Sequence, residues 1–221
     1  MNTTTPRHLA GDGTTTWFTS DLHFGHLNIL NYCQNRRFEG VAQMDEHLIE
    51  SWNSVVGVND DVYVLGDVCM GKIEESLSKI QRLNGANIRL VVGNHDRPFG
   101  LFGEKLQKWE NKYLQSGFCE IIHGSVLIDI GWKEPVLACH FPYHGDSGET
   151  DRHLEYRPVD DGGRILLHGH NHGKLRKDGN MIDVGVDAWG GSPVSVREIL
   201  ELIDSGEDQE SSREWLGATC L

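Results

Sequence analysis

Ile88-Arg89-Leu90-Val91-Val92-Gly93-Asn94-His95-Asp96 decides how the chain is read: an apolar, β-branched run of strand length stops at a glycine and opens into a polar cluster. The same grammar occurs at Val62-Tyr63-Val64-Leu65-Gly66-Asp67, and before it at Trp17-Phe18-Thr19-Ser20-Asp21-Leu22-His23. Between these runs, Met44, Leu48, Ile49, Trp52, Val55 and Val56 recur at helical spacing, as do Ile73, Leu77, Ile80 and Leu83. A helix is also expected after His26. Strand, glycine-containing polar loop and helix in alternation predict an α/β fold with polar loops at the carboxyl ends of its strands.

The second half is strand-rich, with short apolar runs at Glu120 to Ile122, Val126 to Ile130, Val136 to Cys139, Ile165 to His168 and Met181 to Val184. Asp178-Gly179 is a hairpin signal between 174–177 and 180–184. Ser195-Val196-Arg197-Glu198 reads as a capping box that starts a last helix, ending near Asp204-Ser205-Gly206. One domain over 1–221 is expected, with 1–15 and about 206–221 as loose termini.

Composition narrows the function. The 221 residues carry 20 Lys+Arg against 33 Asp+Glu, a formal charge of −13, which disfavours a long nucleic-acid groove or an anionic membrane surface. The 38% hydrophobic content excludes a disordered chain, and no apolar run approaches the roughly 20 residues of a membrane span. Five dispersed cysteines without a CxxC pair predict reduced thiols, and the polar start predicts no signal peptide and a cytoplasmic protein. Oligomeric state is open.

The 12 histidines are the other departure from ordinary composition. Polar clusters stand where strands run into loops: Asp21-x-His23, Gly66-Asp67, Gly93-Asn94-His95-Asp96, His140 and Gly169-His170-Asn171-His172. Carboxylates, an amide oxygen and imidazoles together suit first-row divalent metals, with no thiolate or all-oxygen cage. Residues two apart in an extended segment point the same way, which lets Asp21 and His23, or His170 and His172, face one ion. A near-P-loop at Gly66 to Lys72 is rejected, because Ile73 stands where the Mg²⁺-binding hydroxyl belongs and Asp67 lies in the loop.

These five blocks, in this order, resemble the calcineurin-like binuclear metallophosphoesterases, whose signature is DxH, GD, GNHD/E, a lone H and GHxH. Asp-Leu-His-Phe-Gly-His-x-Asn-Ile and Gly-Val-Asp-Ala-Trp-Gly-Gly-Ser-Pro-Val-Ser further resemble small bacterial and phage-encoded members. The resemblance implies a β-sandwich flanked by helices (αββα) with two divalent metal ions at one end, Mn²⁺ foremost and Fe, Zn, Ni or Co as alternatives. Asp21, His23, Asp67 and His172 are then expected on one ion, with Asp67 bridging, and Asn94, His140 and His170 on the other. A hydroxide generated there attacks phosphorus in line with the leaving group. His95 is expected to act as catalytic acid or transition-state stabiliser, Asp96 to orient it, and Arg97, with Asn94 and with Arg36 or Arg37 as further candidates, to contact a phosphate or its ester group. His26, Asn28, Tyr143, His144 and His168 divide evenly between structural and substrate-edge roles. The implied activity is metal-dependent phosphodiester hydrolysis, on a cyclic nucleotide, nucleic-acid end or other small diester. A phosphomonoesterase or protein phosphatase is the alternative, and a non-catalytic metal-bound scaffold the lesser one.

Overall fold

The computed structural model describes residues 14–210, apart from 147, 149 and 174, together with the backbone of 7–8. Among them run β1 (Arg7–His8), β2 (Thr16–Thr19), α1 (Ile29–Tyr32), α2 (Val41–Val55), β3 (Asp61–Val64), α3 (Ile73–Leu77), β4 (Asn87–Val91), α4 (Gly103–Gln115), β5 (Phe118–Ile122), β6 (Ser125–Asp129), β7 (Val136–Cys139), β8 (Leu166–His168), β9 (Leu175–Asp178), β10 (Met181–Asp183), β11 (Val194–Ser195), α5 (Val196–Ser205) and β12 (Gln209–Glu210). The strands form a five-stranded sheet, β11-β2-β3-β4-β5, and a seven-stranded sheet, β1-β6-β7-β8-β10-β9-β12. In the first, β2 to β5 are mutually parallel. In the second, the central β7, β8 and β10 are parallel. The chain is thus a mixed α/β protein.

Alternation along the strands builds the layers. Phe18, Tyr63, Leu65 and Val91 from the small sheet meet Val126, Ile128, Val136, Ala138, Leu167 and Ile182 from the large one in one buried cluster, so the sheets face each other. On the opposite face of the small sheet, Val62, Val64, Ile88 and Leu90 pack against Met44, Leu48, Ile49 and Trp52 of α2 and against Ile73 and Leu77 of α3. The outer face of the large sheet is covered differently: Leu137, Cys139, Leu166 and Met181 pack with Phe99, Phe141 and Tyr143 from loops. Among the described residues, the α2 and α3 layer flanks the small sheet, while the large sheet's outer face carries these loop residues and a 3-10 turn, Leu154–Tyr156, whose Tyr156 ring stands 4.6 Å from that of Phe99. The last helix closes an edge instead, running from β11 of one sheet to β12 of the other, with Ile199 and Leu202 in the cluster between the sheets.

Other expectations shift by local physics. The helix expected over Ile73 to Leu83 is α-helical only to Leu77 and continues as a 3-10 turn over Ser78–Arg82. The termini are partly ordered: Arg7–His8 pairs with Ile128–Asp129, and Gln209–Glu210 with β9. The remaining tail, 211–221, and Lys174 at the hairpin start lie outside the described residues. The described cysteines, Cys33, Cys69, Cys119 and Cys139, are free thiols. No described helix is long and apolar enough to cross a membrane.

The capping box is formed as read. Ser195 Oγ accepts from the Glu198 N–H, while a Glu198 carboxylate oxygen accepts from the Ser195 N–H at 3.0 Å. Gly206 ends the helix at φ 69, the left-handed conformation that favours glycine. Replacing Ser195 by Ala is expected to cost about 1 kcal/mol, read as a shift of the urea midpoint at unchanged slope.

Candidate metal centre

Both sheets deliver their loops to one place. The segments after β2 and β3 continue side by side, with Asp21 N–H donating to the Gly66 carbonyl and His23 N–H to the Asp67 carbonyl, each at 3.0 Å. The large sheet joins them through the His140 imidazole, whose Nδ1 lies 2.8 Å from the Leu65 carbonyl, and through His170 N–H, which donates to Asp21 Oδ2 at 3.0 Å. Glycines make this approach possible. A Cβ on Gly169 would stand 2.4 Å from Asp21 Oδ2, and one on Gly93 would stand 2.4 Å from Asp67 Oδ1. No side chain fits there.

The ligand-type atoms converge. Asp21, His23 and His172 offer atoms within 4.8 Å of one another, and so do Asp21, Asp67 and His140. Asp67 Oδ2 lies 3.7 Å from His23 Nε2 and 3.5 Å from His140 Nε2, and Asn94 Oδ1 lies 3.1 Å from His140 Nε2. Asp21 Oδ1 and His23 Nε2 are fully buried, make no hydrogen bond, and stand 3.9 Å apart. Orphaned buried acceptors are costly unless something else satisfies them, and a divalent cation suits a carboxylate beside an imidazole. Local charge agrees. Burial and the neighbouring Asp67 push the Asp96 carboxyl up to about 7, and burial together with Asp21 does the same to Asp183. The donor set therefore fits one or more metal ions.

Backbone strain gathers on the same residues. Asp21, His23, Asp67, His170 and His172 all have φ between 52° and 71°, and His153 is the only other non-glycine described with positive φ. Each such conformation costs on the order of 1–3 kcal/mol and persists where the surroundings over-determine it. Here the surroundings are the interlocked loops.

The second nitrogen of each imidazole is also held. His172 Nδ1 lies 2.9 Å from Asp187 Oδ2, and His170 Nε2 lies 3.0 Å from Asp146 Oδ2. Burial alone would lower His172, but the hydrogen bond to Asp187 and nearby carboxylate charge raise it above its ordinary value. His170 goes the other way, pushed down to about 4 by burial and the adjacent His140. Asp187 and Asp146 were not singled out from the sequence. Asp187 lies inside the quoted Gly-Val-Asp-Ala-Trp block, whereas Asp146 carries no local signal.

Several expected roles change. The Asp96 carboxylate is committed to the backbone and not to the His95 ring: one oxygen accepts from the Asp67 and Gly93 N–H groups at 3.0 and 2.9 Å, the other from the Val68 N–H at 3.0 Å. It clasps the two ligand loops together. Arg36 is buried and contacts no open space, its guanidinium being committed to Asp187 at 2.7 and 2.8 Å and to the Asp21 carbonyl at 2.6 Å. Arg37 is exposed and donates to the Gln34 carbonyl. Tyr143 donates to the Arg164 carbonyl, and His168 is buried with Nδ1 2.8 Å from the Gly169 carbonyl oxygen. His144 is exposed, and Asn28 is the residue preceding α1. His26 stays at the edge, its ring 5.2 Å from that of His23. His95 sits where an outward-facing group is needed: its side chain is 41% exposed, its Nε2 is 4.0 Å from Asp67 Oδ2, and it lines a cavity of about 630 Å³ with Asn94 and Arg97.

Comparison with known proteins places the chain among relatives. The gene 66 protein of Mycobacterium phage L5 is 34% identical over 208 residues, which span 88% of this chain and 97% of that protein. The protein MJ1445 of Methanocaldococcus jannaschii is 32% identical over 200 residues, covering 86% and 92% respectively. The crystal structure of AQ665 from Aquifex aeolicus superposes with a TM-score of 0.65 at 26% identity, covering 86% of this chain and 99% of that one. No family model matches the chain. Near-complete mutual coverage at these identities makes the chain a member of the family of the mycobacteriophage gene 66 protein.

Proposed function

We propose that the chain is a metal-dependent phosphodiesterase of the calcineurin-like kind, hydrolysing a small phosphodiester to a phosphomonoester and an alcohol. The observation that carries this reading is the pair of three-residue ligand groups meeting at Asp21, in which Asp21 Oδ1 and His23 Nε2 are buried and unsatisfied. Asp21, His23, Asp67, His140 and His172, with Asn94 and His170 beside them, are the proposed ligands of two divalent ions, Mn²⁺ first. Bound there, the ions supply Lewis acidity that neutralises phosphoryl oxygens and makes water a nucleophile near neutral pH. Two divalent charges held there would outweigh those of Asp21 and Asp67, which accounts for phosphate approaching a chain of charge −13.

The chain's own groups do the rest. His95 reaches into the cavity and gives a proton to the departing ester oxygen from Nε2, while its backbone N–H holds Asp67 Oδ1 at 2.8 Å. Asp187 and Asp146 fix the tautomers and ring orientations of His172 and His170. Arg97 faces the same cavity and is available to the ester group.

The test is hydrolysis of bis(p-nitrophenyl) phosphate and p-nitrophenyl phosphate with added Mn²⁺. Turnover of the diester in preference to the monoester is expected, and no metal-dependent turnover of either would overturn the reading. His95→Ala is expected to lower kcat by about 10²–10⁴-fold while metal content by atomic absorption stays at the wild-type level.

A further inference from the structure

The cavity that holds His95 and Asn94 continues to the exposed cations Arg97, Lys105 and Lys108, the last two on α4. Among the described residues none of these three has a carboxylate within salt-bridge distance. Their neighbours in sequence do: Lys79 pairs with Asp45, Arg82 with Glu46, Arg89 with Asp61 and Lys112 with Glu74. Asp96 is the acid of the cavity wall, and its oxygens are turned to backbone N–H groups. In a chain of charge −13, three cations without a salt bridge lining one cavity are an exception to the general field, Arg97 resting over the Trp109 ring at 5.6 Å. Such a lining favours an anionic ligand. Ile73, Phe99, Leu101 and Trp109 give the same lining an apolar part. Concave sites of roughly 300–1,000 Å³ are the size that holds one small molecule.

We propose that Arg97, Lys105 and Lys108 form a second phosphate site, so that the substrate is a small nucleotide diester carrying a further phosphate beyond the one that is hydrolysed. The inference rests on the phosphodiesterase reading and adds a substrate class to it. The Arg97 fork suits two phosphate oxygens at once, and the lysines add point charge. The apolar part takes the nucleoside between the phosphates. A long polynucleotide is disfavoured because the rest of the acidic surface repels each additional phosphate.

Two measurements with Mn²⁺ present test this. In turnover, the p-nitrophenyl ester of thymidine 5′-phosphate is compared with the same ester bearing a 3′-phosphate. The second is expected to be favoured about tenfold or more in kcat/KM, through KM, and the ratio is expected to approach one in Lys105→Gln/Lys108→Gln. In binding, calorimetry compares adenosine 3′,5′-bisphosphate with adenosine 5′-monophosphate, where a preference of the same order, lost in the same variant, is expected. Equal affinity for both nucleotides, or a preference that survives the double substitution, overturns the second site. Tighter binding of a ten-nucleotide single strand than of the bisphosphate overturns the small-nucleotide assignment. If the bisphosphate preference holds while no diester is turned over, the hydrolytic reading fails and the second phosphate site stands.

Discussion

Asp21→Asn is expected to abolish metal-dependent hydrolysis, by on the order of 10³-fold or more, while leaving the protein folded and somewhat more stable without metal. Asp21 belongs to both ligand groups, and its Oδ1 is the buried acceptor with no partner in the chain. An amide at that position has the same shape but removes the charge and one of the two acceptor oxygens. Lewis-acid stabilisation of transition-state charge is worth several kcal/mol, and each 1.36 kcal/mol is tenfold in rate. Stability moves the opposite way because Asp21 crowds Asp183, whose carboxyl it helps to push up to about 7. Removing one of two like charges relieves that repulsion. Thermal unfolding with chelator and with Mn²⁺ checks both halves: the wild-type Tm rises on adding Mn²⁺, and the variant starts higher and does not respond. A variant that keeps both the metal-induced shift and the activity removes Asp21 from the site.

How much of this was legible in the sequence follows from the range of each signal. Strands β2, β3 and β4 and the glycines that end them are local patterns, and ligand chemistry is a property of residue type, so Asp21, His23, Asp67, Asn94 and His140 could be named without coordinates. The imidazole supports could not. Asp146 and Asp187 are ordinary loop acids until folding sets them against His170 and His172. Helix α4 went unread because its apolar stripe is thin: Leu106, Trp109 and Tyr113 stand at i, i+3 and i+7, but Tyr113 is its one buried residue and most positions around them are charged or polar. Two-residue strands such as β1 and β12 are too short to carry a pattern at all. Asp96 shows the converse error: it adjoins His95 in the motif, but its oxygens accept from the backbone N–H groups of Asp67, Val68 and Gly93 and not from the His95 ring.

Arg36 shows most plainly that charge type alone misleads, and its replacement is expected to give the largest loss of stability. From the sequence it was a candidate phosphate contact. In the fold its guanidinium and the Asp187 carboxylate, 151 positions away, are both fully buried and joined by paired hydrogen bonds at 2.8 and 2.7 Å. The same group donates to the carbonyls of Asp21 and Leu22, at 2.6 and 3.2 Å, and so pins the strained ligand loop from behind. Charge and hydrogen bonding from Arg36 hold Asp187 well below the usual carboxylate range, against its burial. Arg36→Met keeps comparable volume but leaves the Asp187 carboxylate buried beside His172 without the guanidinium. Breaking a buried pair from one side costs about 3–5 kcal/mol, because the abandoned charge has lost its solvent as well as its partner. Arg36→Lys, which restores charge without the fork, is expected to lose less. Urea denaturation in chelator measures both. Arg36→Met/Asp187→Leu, which removes the pair together, is expected to recover part of the loss while still failing to bind Mn²⁺ at wild-type affinity, because His172 has then lost the group that orients it. A loss below about 1 kcal/mol for Arg36→Met would return Arg36 to the list of residues facing substrate.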